Sequence, residues 1–289
     1  MRASTFSIVA ADPGSAQVGV AVQSKFLSVG AVVPFVRAGV GAIATQAFAN
    51  TSYGPQALEL LARGSSPDEV AAALIAGDDG RDDRQFGIVA AAGRSATYTG
   101  ARCIPYADGV AGEHFAAQGN CLAGAAVVDA LAAAFRGSHG QLADRLLAAL
   151  RAAQAAGGDK RGQQSAALII EKPGGGYAGF NDRYVDLRVD DHPAPIEELA
   201  RLLEMHKLYF FAPAPEDLID VDAQIGAEIA RQLVRTGGLP RGSAYDEAAR
   251  AALVAFMHVE NLENRVREDG RIDRQTLDYL RSAPSKLQA

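Results

Sequence analysis

The chain has 289 residues, 48% hydrophobic and 21% charged, which is the make-up of a soluble globular protein with one large domain or one domain and a smaller companion. A formal net charge of −6 argues against non-specific nucleic-acid binding, which depends on clustered cations. No run approaches the roughly 20 apolar residues of a membrane span, no N-terminal charged-then-apolar segment marks secretion, and two cysteines make no disulfide framework. The expectation is a cytoplasmic protein with reduced, buried Cys103 and Cys121 and with neither nucleic acid nor membrane as a partner.

The stretch from Thr5 to Lys25 holds two apolar runs around Asp12-Pro13-Gly14-Ser15 and predicts an antiparallel hairpin. Residues 30–37 and 39–46 predict a second strand pair, apolar enough to be buried on both faces. Tyr53 to Arg63 has helical spacing, and Ser66-Pro67-Asp68-Glu69 opens a second helix with serine as cap. Strands are expected again at 85–91, 94–99 and 114–118, then alanine- and leucine-rich helices at 123–136 and 141–155. Strands at 165–171 and 184–189 and a helix over 195–208 complete the order. Strand groups with hairpin-length connections, alternating with helix pairs, predict a four-layer α/β/β/α sandwich of the α+β class.

Residues 212–217 are proline-rich and read as a linker. Beyond it, residues 218–289 predict a small all-α domain of three helices, with Ser243 opening the middle helix and Asp273 capping the last. Residues 1–211 form the larger domain.

If the chain began at Thr5, a hydroxyl nucleophile and an α-amino base would share one residue at the head of a buried strand. Other polar residues cluster at element ends of this apolar scaffold: Thr45-Gln46 with Asn50 just beyond, Gln118-Gly119-Asn120 ahead of a helix, and Asp159 to Ser165 between helix and strand. An amide at a helix start near Asn120 would favour an oxyanion. The five histidines lack paired metal-ligand spacing and GxSxG is absent, so neither metal nor cofactor is expected.

The motifs Thr5-Phe-Ser-Ile-Val-Ala, Val20-Ala-Val-Gln-Ser-Lys-Phe, Thr45-Gln-Ala-Phe-Ala-Asn-Thr-Ser-Tyr-Gly-Pro55, Gln118-Gly-Asn120 and the long run Phe180 to Pro193 resemble an uncharacterised bacterial family within the N-terminal-nucleophile (Ntn) hydrolase superfamily. The tail, with Asp269-Gly-Arg-Ile-Asp-Arg-Gln-Thr276, resembles a small peptidoglycan-binding-like domain. The resemblance implies an Ntn-type sandwich and an amidohydrolase cleaving a small or peptide-like amide, often as a homo-oligomer. Thr5 would be the nucleophile, with Asp159, Ser165 and Lys25 beside its amine. Thr45, Gln46, Asn50, Asn120, Asn181 and Asp182 would bind substrate or oxyanion. Met1-Arg2-Ala3-Ser4 must then be removed to free Thr5. The alternatives are a catalytically silent binding or assembly protein on the same fold, or binding of cell-wall fragments through the C-terminal domain.

Overall fold

The computed structural model describes residues 5–285. Contacts within the chain divide it into two compact units, the first ending at Leu203 and the second beginning at Glu204.

In the first unit, β1 (Thr5–Asp12) and β2 (Gln17–Ser24) form the expected hairpin. With β7 (Asp108–Gly112), β8 (Phe115–Gly119), β9 (Ser165–Glu171) and β10 (Arg183–Val189) they make a six-stranded antiparallel sheet ordered β10-β9-β2-β1-β8-β7. A second antiparallel sheet runs β3 (Pro34–Arg37), β4 (Gly41–Ala47), β5 (Arg84–Ala90), β6 (Ser95–Thr99).

The two sheets pack face to face. Alternation sends Val9 and Ala11 of β1 and Val18, Val20 and Val22 of β2 into one cluster with Ala42, Ala44 and Val89 of the opposite sheet. The outer face of the four-stranded sheet packs Ile43, Phe86 and Ile88 against α1 (Tyr53–Ala62) and α2 (Pro67–Ala76). The six-stranded sheet carries α3 (Ala126–Gly137) and α4 (Leu142–Ala155) on its other face, where Phe115 meets Phe135 at 5.2 Å between ring centres. Ser66 makes a full capping box with Glu69, as its spacing predicts.

Three local expectations differ. Residues 29–31 form a 3-10 turn rather than strand, because the Val29 N–H donates to the hydroxyl of Ser165, 136 residues away. The strand β7 went unpredicted; five residues with two glycines carry almost no periodic signal. The helix expected at 123 starts at Ala126, since the N–H groups of residues 120–123 donate instead to the carbonyls of Thr5, Ile104, Tyr106 and Gly158.

The second unit holds the end of α5 (Pro195–Phe210) and α6 (Ala223–Arg235), α7 (Glu247–Val259) and α8 (Arg274–Ser282) around Leu208, Ile229, Leu233, Leu253, Met257 and Leu280. It is not purely helical. A two-stranded ribbon pairs β11 (Leu218–Asp220) with β12 (Arg271–Asp273), and three-residue strands joined across fifty positions leave no trace in a sequence pattern. Asp246, not Ser243, caps α7 by accepting from Ala249 N–H. Asp273 caps α8 and is also the partner of buried Arg265, whose guanidinium otherwise donates to the carbonyls of Lys207, Leu208 and Phe211.

Candidate functional site

The inter-sheet face that is apolar along most of its length turns polar at one end. Strand register puts three hydroxyls in a row across adjacent strands: Thr5 opposite Ser24, and Ser24 opposite Ser165. All three residues are fully buried. The Thr5 hydroxyl donates to Ser24 Oγ at 3.1 Å. Ser165 Oγ donates to Phe26 O at 2.5 Å and accepts from Val29 N–H at 3.0 Å, so it pins the turn that follows β2.

Beside this row lies a cluster of buried amides. Ser7 Oγ donates to Gln46 Oε1 at 2.6 Å, and Gln118 Nε2 donates to Ser7 Oγ at 2.7 Å. Gln46 Nε2 donates to Gln85 Oε1 at 2.8 Å and to the Thr5 carbonyl at 3.3 Å. Gln85 Nε2 donates to Gly119 O, Thr99 Oγ1 and Asp108 O, while Asn120 Nδ2 donates to Gln85 Oε1. The cluster holds the main chain at the head of β1 from the opposite sheet. Uncharged groups bond one another there without the desolvation cost of buried ions, though two acceptors stay unmatched. Gln118 Oε1 rests over Gly87, where a Cβ would lie 2.0 Å from it. Gln118 Oε1 and Asn120 Oδ1 are buried acceptors without a hydrogen-bond partner among the described residues.

Asp159 flanks the row. It is 2% exposed, accepts from the Lys25 main-chain N–H at 3.4 Å, and is paired with Arg161 at 2.6 Å. That pairing pushes the Arg161 guanidinium above its ordinary value, with burial acting the other way. Lys25 is exposed, and its ammonium donates to Gln163 O at 3.3 Å.

The structure thus brings together Thr5, Lys25, Asp159, Ser165, Gln46 and Asn120, and separates the rest. Thr45 faces the opposite side of β4 from Gln46, bonding Asn50 O at 3.4 Å. Asn50 belongs with Thr45 on that outer side, donating to Asp78. There Asp78 also accepts from Arg84 and from the Tyr53 hydroxyl; the Arg84 guanidinium, foremost, holds its carboxyl well below the usual carboxylate range. Arg84 in turn donates to Phe48 O and fixes the turn after β4. Asn181 and Asp182 lie in the β9–β10 turn, bonded to Arg183 N–H and Gly174 N–H. That turn follows Glu171, six residues along β9 from Ser165 and so roughly 20 Å away. Nor does Asn120 present an open helix-start amide, because its N–H donates to the Thr5 carbonyl at 3.0 Å. Ser7, Ser24 and Gln85 escaped the sequence reading; the signal available was a hydroxyl or amide at every second, inward position of otherwise apolar strands. Among the described residues no group of three or more His, Cys, Asp or Glu is placed to hold a metal, and Cys103 and Cys121 are both buried.

Residues 5–199 match the family described as "Family of unknown function (DUF1028)". The chain belongs to this family. Protein SPO2555 from Silicibacter pomeroyi, a solved structure of the same family, is similar at 31% identity with a TM-score of 0.65, over 74% of this chain and 97% of that one. Residues 209–280 match a second family, described as "Putative peptidoglycan binding domain". No curated protein matches the chain. No described helix is long and apolar enough to cross a membrane.

Proposed function

We propose that the first unit of this DUF1028 chain is an Ntn-type amidohydrolase, with Thr5 as nucleophile once the residues before it are removed. The observation that carries the reading is the placement of Thr5. It heads one of the two middle strands of a sheet that packs on a second sheet, its hydroxyl bonds Ser24, and buried Asp159 flanks the row. A new α-amino group at Thr5 would have an unperturbed pKa of about 7.7–8.0, suited to taking the hydroxyl proton at working pH. The Thr5 oxygen then adds to an amide carbonyl of a small or peptide-like substrate. The C–N bond breaks as the amine leaves with that proton, and water hydrolyses the resulting ester. Gln46 and Asn120 hold the Thr5 carbonyl from two sides and so fix the nucleophile's backbone. The same arrangement of helix pairs outside two facing sheets supports assignment to the Ntn sandwich.

Intact-mass measurement of the purified protein tests this directly, with Thr5 expected as the first residue and with Thr5→Ala inactive in an amidase screen. A mature chain that keeps Met1 or Arg2, together with an unaffected Thr5→Ala variant, would sink the reading. It would leave the catalytically silent binding protein, which the full burial of Thr5 and its bond to Ser24 favour.

For the second unit we propose binding of peptidoglycan fragments, supported by the family match over residues 209–280. Co-sedimentation with purified sacculi tests it, and failure to sediment removes it.

A further inference from the structure

Most arginines of the second unit are committed to partners. Arg235 donates to main-chain carbonyls at the end of α8, and Arg265 is buried against Asp273. Arg267 and Arg271 share Asp269, while Arg281 bridges Glu228 and Asp278. Arg231, Arg241, Arg250 and Arg274 are exposed and form no ion pair with a carboxylate among the described residues, although Arg231 is near enough to Glu228 to lower its carboxyl pKa. Of these four, Arg231 and Arg250 line one groove of about 720 Å³.

The rest of that groove is built to receive a ligand. Its floor is of small residues, Ala223, Gly226 and Ala227, along one face of α6. Tyr245 forms a wall and packs so closely on Gly226 that a Cβ there would lie 2.8 Å from the ring. Arg250 stands over the same ring, 6.0 Å from its centre, which orients the guanidinium. Burial pushes the Tyr245 phenol up, Arg250 opposing, so its hydroxyl is a neutral donor. The acidic residue at the edge, Asp222, is occupied in capping α6 through Ile225 N–H. Two guanidinium side chains and a phenol therefore line a cavity in the size range of small-ligand sites. Planar forks match carboxylates two bonds at a time.

We propose that this groove is the recognition site of the second unit and that it takes a peptide bearing free carboxylates, the peptide portion of a peptidoglycan fragment. The inference rests on the cell-wall-fragment reading of this unit. Arg231 and Arg250 grip carboxylates, Tyr245 supplies a directed hydrogen bond, and the small-residue floor admits the peptide backbone.

The test uses the full chain with two probes: purified sacculi in co-sedimentation, and a stem-type acidic pentapeptide in calorimetric titration against its fully amidated counterpart. Binding of the acidic peptide is expected, weakened about tenfold or more by amidation, about tenfold by Arg231→Gln or Arg250→Gln, and about a hundredfold by both together. Arg250→Lys should recover part of the loss, because charge returns without the fork. Amidation needs no variant and stands even if a substitution unsettles the fold. Sacculi bound equally by the wild type and the double variant, with the amidated peptide binding as tightly as the acidic one, would overturn the groove and leave the cell-wall reading intact. Failure of the wild-type chain to bind either probe would overturn both.

Discussion

The two ends of the inter-sheet interface are built from the same strands, on the same faces, with opposite chemistry. At one end Val9, Ala11, Val18, Val20, Ala42 and Val89 exclude water and need nothing but shape. At the other, Thr5, Ser7, Ser24, Gln46, Gln85, Gln118 and Asn120 occupy the next positions of the same alternation, equally buried but bonded to one another. Valine at those positions would stabilise the sandwich with no desolvation to offset. A polar end therefore signals that the position of β1's main chain is being specified, and it is specified at the residue proposed to do the chemistry. The apolar end supplies stability; the polar end supplies geometry.

Five substitutions break or sharpen this contrast. Thr5→Ala should have the largest effect, a loss of amide hydrolysis of about 10³-fold or more with little change in melting temperature, while Thr5→Ser keeps measurable turnover. Gln85→Leu strips donors from Gly119 O, Thr99 Oγ1 and Asp108 O and the acceptor from Gln46 and Asn120. It should cost about 3 kcal/mol or more in urea unfolding and lower activity per folded molecule. Val20→Ala at the apolar end should cost about 2 kcal/mol and leave activity per folded molecule unchanged. If Val20→Ala cut activity as deeply as Gln85→Leu, the division between the two ends would be wrong. The smallest effect belongs outside the interface. The depressed pKa of Asp78 means its contribution is present above about pH 4, the ordinary carboxylate value, and is lost as pH falls further. Asp78→Asn should therefore flatten the acid limb of a stability-versus-pH curve measured by thermal melting.

Much of this frame was legible beforehand, for identifiable reasons. The hairpin at Thr5 announced itself by two long apolar runs about a Pro-Gly turn, and α2 by a capping box; both signals are local. Gln46 could be singled out because it ends an apolar strand. Thr45 could be singled out for the same reason, but its side chain lies on the other face of β4 from Gln46, since neighbours on a strand point to opposite faces. Gln85 stayed hidden because its role exists only once β5 lies over β1 and β8, a relation between residues over thirty positions apart. The 3-10 turn at residues 29–31 is likewise decided by Ser165, which nothing near the turn in sequence could reveal. In the second unit the helices and the Asp273 cap were readable, whereas the ribbon β11–β12 depends on pairing between distant three-residue segments.

Gly87 contributes no functional group, yet the polar end depends on it. Gln118 occupies the space a side chain at 87 would fill: a Cβ there would lie 2.0 Å from its Oε1, where ordinary contact begins at 3.4 Å. One methyl at this position would push Gln118 off Ser7 and send the disturbance through Gln46 to the head of β1. The bond network of the proposed machinery thus depends on a residue that contributes only the space it leaves empty.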